Sequence, residues 1–212
     1  MIKKWLFLLG VSIVSTSVWA SSLRLMVFGD SLSVGHNLPQ EDSFYFQLEK
    51  SLQADGFDVK VLNYSKSGET SAGGMAKMSG ALEMSPDAVL LELGINDALH
   101  GMDVATTQQN LQAIISSFKK ANIPVMLIGM EAPVLMDLPY RTAFKSMYQT
   151  LARENGLMLY PFFMDGLWNT NGSHKDVAYF LSDLAHPSAQ GVAIITKNIL
   201  PTVEKFLRTY GK

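Results

Sequence analysis

Leu23-Arg24-Leu25-Met26-Val27-Phe28-Gly29-Asp30-Ser31-Leu32-Ser33 is the stretch from which the fold can be read. Its first half is an apolar run of strand length, and it breaks abruptly into Gly-Asp-Ser, residue types that favour turns and helix N-caps. The run predicts a strand delivering Ser31 to its carboxyl end. Phe57 to Leu62, Ala88 to Leu93, Val125 to Ile128 and Leu157 to Tyr160 repeat the pattern, giving five predicted strands. Most are nearly continuous in apolar residues, as strands covered on both faces are.

Between these runs the period changes to that of a helix. Phe44, Leu48 and Leu52 make one stripe, Leu111, Ile114, Ile115 and Phe118 a second, and Phe144, Met147, Tyr148 and Leu151 a third. A last helix carries Val192, Ile195 and Ile199, and Pro201 is expected to kink or interrupt it. Asp55-Gly56 and Asn155-Gly156 supply stops before the following strands. Strand and helix alternating with right-handed crossovers predict an α/β fold, a three-layer α/β/α sandwich on a five-stranded parallel sheet. Ligands in such folds bind beyond the carboxyl ends of the strands. No repeat or linker divides the chain, and the stretch from Phe162 to Leu184 reads as surface loops.

The start of the chain is of another kind. Met1-Ile2-Lys3-Lys4 is basic, Trp5 to Val14 is apolar, and Val18-Trp19-Ala20 closes with the small-residue pattern of a signal-peptidase site. The apolar run falls short of the roughly 20 residues that cross a bilayer. The expectation is a signal peptide over 1–20 and an exported mature domain over 21–212, with no stable membrane span after cleavage.

Composition narrows the function. Of 212 residues 48% are hydrophobic, and 17 basic residues face 19 acidic ones for a net charge of −2, which gives a nucleic-acid partner no electrostatic support. There is no cysteine, which removes thiol nucleophiles, Cys-ligated zinc and disulfides together. His36, His100 and His174 follow no metal-ligand spacing, so they read as surface or loop histidines and no metal or other cofactor is expected. Asn63-Tyr64-Ser65 and Asn171-Gly172-Ser173 fit the glycosylation sequon, a pattern frequent by chance.

Four short blocks could carry chemistry. Gly29-Asp30-Ser31 stands at the end of the first strand; taken alone it is equally a turn, and it is not the G-x-S-x-G elbow, since Ser33 occupies the second glycine position. Asp183-Leu184-Ala185-His186-Pro187 puts a carboxylate three residues before an imidazole. A serine hydroxyl becomes nucleophilic when such an imidazole takes its proton and a carboxylate steadies the imidazolium. By itself the block is also consistent with a capping Asp beside an exposed His. Gly94-Ile95-Asn96-Asp97 would place the Asn96 amide at the same sheet edge, and Ser67-Gly68-Glu69 a side-chain-free N–H, the kind of donors a developing oxyanion needs. The loop from Glu131 to Leu138, with Met130, Leu135 and Met136 close by, could line an adaptable acyl pocket.

Together the blocks resemble the SGNH or GDSL serine hydrolases: Gly29 to Ser33, Asn63 through Ser71, Leu91 to Asp97 and Asp183 to Pro187 occur in the family's order across essentially the whole mature chain. Pro161-Phe162-Phe163-Met164 and the spacing look like the bacterial periplasmic thioesterase, lysophospholipase and arylesterase branch. The resemblance implies the flavodoxin-like SGNH hydrolase fold, Ser31 as nucleophile, His186 as base and then acid, and Asp183 as orienting carboxylate. It also implies an oxyanion hole of the Ser31 and Gly68 N–H groups and the Asn96 side chain. Ile95 departs from the branch, which usually has a second glycine there, and restricts the backbone at that point. The expected substrate is a small acyl ester or thioester: an acyl thioester, a lysophospholipid, or an aryl or short-chain ester. Carbohydrate O-deacetylation or acyl transfer is the alternative within the same chemistry.

Overall fold

The structure is a computed structural model that describes residues 22–169 and 172–210; the leader expected over 1–20 and Asn171 of the second sequon lie outside the described residues. Five strands, β1 (Leu23–Phe28), β2 (Val59–Asn63), β3 (Ala88–Leu91), β4 (Val125–Ile128) and β5 (Met158–Tyr160), form one sheet in the order β2-β1-β3-β4-β5. Every neighbouring pair is parallel. The sheet is built from its middle: all four residues of β3 and Leu25 to Phe28 of β1 are fully buried, which explains their unbroken apolar sequence. The Phe28 ring packs edge-on against Tyr64 at 5.2 Å and Phe118 at 6.1 Å, tying β1 to the helices above it.

Helices α1 (Ser31–Val34), α2 (Phe44–Ala54), α3 (Ser71–Ala76), α4 (Met78–Glu83), α5 (Ile95–Leu99), α6 (Val104–Lys120), α7 (Leu138–Asn155) and α8 (Ala189–Tyr210) follow in chain order. α2 packs on α8, whereas α3, α4 and α7 all pack against α6, so two helical layers enclose the sheet. The buried residues of α2, α6 and α7 are those of the sequence stripes, with Thr107 and Ala152 added. Asp103 and Asp137 cap α6 and α7 through their side chains, and Gly156 in the left-handed region ends α7.

Three expectations need correction. α8 continues through Pro201 without interruption. A proline forfeits one helix hydrogen bond and crowds the preceding turn, but Val203, Phe206 and Leu207 beyond it are buried, and that packing holds the last turns in place. The segment from Phe162 to Leu184 is irregular as expected, with one short 3₁₀ turn at Val177–Tyr179, yet it does not simply lie on the surface. Phe163 and Leu167 are completely buried and Phe180 nearly so, anchoring the excursion to the core. β3 stops at Leu91 rather than Leu93, although the Glu92 N–H still donates to the Phe28 carbonyl at 2.9 Å.

Strand order reverses between β1 and β3, with β2 on one side and β4 and β5 on the other. The crevice outside the carboxyl ends at such a reversal is where ligands of open α/β sheets bind. Residues 29–31 and 94–96 emerge there from β1 and β3.

Candidate active site

β1 ends at Phe28, and Gly29 and Asp30 turn the chain so that Ser31 opens α1. The Asp30 side chain caps that helix, its Oδ1 accepting from the Leu32 N–H at 2.9 Å. Gly29 is demanded by close approach: a Cβ there would stand 2.6 Å from Ser33 Oγ and 2.7 Å from Glu92 Oε2. Those two atoms are themselves bonded at 2.8 Å, and Glu92 Oε2 also faces the Asp30 N–H at 3.3 Å. A fully buried glutamate from the end of β3 therefore buttresses the turn that presents Ser31.

The Asp183 block comes from the other end of the chain, just before α8. His186 Nε2 lies 3.0 Å from Ser31 Oγ, and His186 Nδ1 lies 2.7 Å from Asp183 Oδ2. The second Asp183 oxygen accepts from the Ala185 and His186 N–H groups at 2.9 and 3.0 Å, so the carboxylate shapes the loop as well as facing the ring. Partial desolvation pushes this carboxyl up, but the backbone N–H groups of His186 and Ala185 and the His186 ring outweigh it and hold the group at about 2. An ionised Asp183 fixes the proton on Nδ1 and leaves the Nε2 lone pair for the serine O–H.

Donors surround the space beyond the serine. The Ser31 N–H is the first amide of α1, and neither it nor the Gly68 N–H is bonded to a protein acceptor among the described residues. Gly68 has φ of 76°, and a Cβ there would meet nothing within 4 Å, so the glycine answers to backbone conformation and leaves its flank open. Asn96 Nδ2 donates to the Glu69 carbonyl at 2.9 Å and faces Asp30 Oδ2 at 3.2 Å. Ile95 occupies the first position of α5, half-buried against the core.

Asp30, Glu69, Glu92 and Asp97 are buried carboxyls beneath the site, and two of them are clearly raised. Burial pushes Asp30 up to about 7; the charges of Asp97 and Glu69 add to this, while the Leu32 N–H and the Asn96 amide oppose it. Burial raises Glu92 well above the carboxylate range, with the charge of Asp30 next, and the Ser33 and Asp30 donors only partly offset this. Among the described residues Glu92 Oε1 has no hydrogen-bond partner.

Ser31, His186, Asp183, Gly68 and Asn96 are thus brought to one sheet edge. Of the residues expected to line an acyl pocket, Met130 is buried in the core at 2% exposure, and Leu135 projects into solvent at 96%. Three residues escaped the sequence reading. Glu92 could have been found as a charge inside an otherwise apolar strand. His36 stacks on the His186 ring, with centroids 4.5 Å apart, and its Nδ1 is 3.5 Å from Ser67 Oγ. His174 reaches the carbonyl of Leu184. His36 Nε2 meets the side chain of the adjacent Asn37 at 3.0 Å, a contact that says nothing of the ring at 186, whereas His100 is exposed beyond α5. Among the described residues no cluster of three or more His, Asp or Glu side chains is arranged to hold a metal ion.

Known proteins are similar to this chain in sequence and in fold. A family model described as GDSL-like Lipase/Acylhydrolase matches residues 27–194. Esterase TesA of Pseudomonas aeruginosa is 33% identical over 189 residues, covering 89% of this chain and 91% of that protein. Thioesterase 1/protease 1/lysophospholipase L1 of Escherichia coli is 32% identical over 173 residues, covering 77% and 82%. The crystal structure of the psychrotrophic esterase EstA from Pseudoalteromonas sp., inhibited by monoethylphosphonate, superposes with a TM-score of 0.80 at 28% identity, covering 87% of this chain and 98% of that one.

Proposed function

The chain belongs to the GDSL-like lipase/acylhydrolase family and is an ester hydrolase, and from that premise we propose a metal-free, two-step serine mechanism with Ser31 as nucleophile. The observation that carries it is the continuous relay from Asp183 Oδ2 to His186 at 2.7 Å and on to Ser31 Oγ at 3.0 Å. Ser31 Oγ attacks the acyl carbonyl carbon as His186 Nε2 takes its proton. The tetrahedral oxyanion is met by the Ser31 and Gly68 N–H groups and by the Asn96 amide. Collapse breaks the bond to the leaving alcohol or thiol, which receives the proton from His186. Water then adds to the acyl-enzyme by the same route, releasing the acid and restoring Ser31.

The substrates proposed are small acyl esters and thioesters, including acyl thioesters, lysophospholipids, and aryl or short-chain esters. Turnover of p-nitrophenyl butyrate by wild type and Ser31→Ala tests the assignment: activity is expected to vanish in the variant, together with fluorophosphonate labelling. Activity surviving in Ser31→Ala would sink it. A profile over acyl-chain length beside acetylated glycans tests the substrate class, and a preference for acetylxylan would replace the proposed class with a carbohydrate O-deacetylase.

The leader over 1–20 supports export, with a mature enzyme over 21–212. Among the described residues no helix is long and apolar enough to cross a membrane. Mass spectrometry of the exported protein is expected to find Ser21 at its N-terminus; an intact Met1 would refute the cleavage.

A further inference from the structure

The loop that carries Asp183 and His186 contains a strained residue. Leu184, between them in sequence, has φ of 55°, in the left-handed region that a branched-chain residue enters only at a cost. This twist turns the chain back so that Asp183 Oδ1 can accept from both Ala185 and His186 N–H. Something must hold the Leu184 peptide there. Its N–H donates to the Leu181 carbonyl at 2.9 Å, and its carbonyl lies 2.9 Å from His174 Nε2. Since a carbonyl only accepts, His174 must carry its proton on Nε2.

His174 is itself tightly placed. Its ring lies 4.4 Å from that of Trp168 and 4.3 Å from that of Phe180, and Trp168 and Phe180 are 5.2 Å apart, forming a three-ring cluster. A bridge pairs Trp168 with His174, and another pairs Phe180 with Pro187, the residue following the base. The cluster rests on Phe180, which is 6% exposed. It thus fixes one donor against one carbonyl of the Asp183 to His186 loop.

We infer that His174 is a positioning residue for the hydrolysis: its Nε2–H, clamped between Trp168 and Phe180, holds the Leu184 carbonyl and thereby the angle at which His186 meets Ser31. The inference rests on the reading of His186 as the base. Its effect falls on the chemical step, because a small misplacement of a proton-transfer group slows reaction without weakening substrate binding.

The experiment measures kcat, KM and thermal midpoint on p-nitrophenyl butyrate for His174→Phe, His174→Gln and His174→Phe combined with Leu184→Gly, with His186→Ala as reference. His174→Phe keeps an aromatic ring and loses the donor; kcat is expected to fall about 10-fold to 100-fold with KM within about twofold. His174→Gln restores an N–H donor and is expected to recover most of kcat. Leu184→Gly removes the cost of positive φ and is expected to recover part of kcat in the Phe background, which keeps the test informative if the single variant is poorly folded. Wild-type kcat in a folded His174→Phe, equal losses in Phe and Gln, or KM rising in place of a falling kcat would each overturn the inference. Wild-type activity in His186→Ala would overturn the base assignment beneath it, a distinguishable result.

Discussion

Replacing Asp30 with asparagine changes how the fold responds to pH. In the native chain Asp30 is fully buried and its carboxyl is pushed from 3.8 to about 7, chiefly by desolvation. Between those values the unfolded chain has lost the proton and the folded chain retains it. Stability from this group is therefore complete below pH 3.8 and lost as pH rises toward 7. The span from 3.8 to about 7, at about 1.4 kcal/mol per pH unit, amounts to about 4 kcal/mol. The substituted amide keeps an oxygen for the Leu32 cap but sets its NH₂ against Asn96 Nδ2, which lies 3.2 Å from the carboxylate oxygen that the NH₂ replaces. That mismatch costs about 1–3 kcal/mol at every pH and lowers the whole curve without tilting it. Removing the Asp30 charge also lessens the rise at Glu92, which flattens the variant's curve further, and Asp183, held at about 2, loses its stabilising contribution only as pH falls below its ordinary value of 3.8. Urea unfolding at intervals from pH 4 to pH 8 should show the wild type declining by about 4 kcal/mol relative to a flatter Asp30→Asn. Parallel curves across that window would refute the argument that this buried carboxyl titrates in the fold.

Asp183→Asn removes the charge that fixes the His186 tautomer, and kcat should fall by up to about 10⁴-fold with little change in KM; a loss under about tenfold in steady-state assays would contradict the relay. Phe28→Ala empties a fully buried site between Tyr64 and Phe118, costing about 3–5 kcal/mol by urea unfolding; a loss below about 1 kcal/mol would mean that the core collapses around it. Thr196 on α8 is 3% exposed and its hydroxyl has no partner among the described residues, so Thr196→Val should raise stability by about 1 kcal/mol, and a lowered thermal midpoint would show that the hydroxyl is satisfied.

The sheet was legible because its central strands are buried on both faces, and their sequence shows it. The end of β3 was not, because Glu92 and Leu93 are as buried as the strand before them, and no pattern marks where pairing stops. Pro201 misled for a related reason: local preference argued for interruption, whereas the burial of Phe206 and Leu207 was decided by distant partners. Ser31, His186 and Asp183 could be singled out as candidates because turn chemistry and a three-residue spacing are local, while the roles proposed for them come from the resemblance of the four blocks taken together. His36 and His174 could not, since one acts on a ring at 186 and the other on a carbonyl at 184. Glu92 was visible in the sequence as a charge out of place, and its role as a buttress emerged only with Gly29 and Ser33 packed around it.

Ser31 and His186 are separated by 155 positions along the chain. During synthesis position 31 emerges early and position 186 late, so under the proposed mechanism a nascent or partly unfolded chain carries only an ordinary alcohol at position 31. Under that mechanism reactivity toward acyl groups arises when the loop before α8 meets the end of β1, and covalent labelling of Ser31 then reports that these two distant parts of the chain have met.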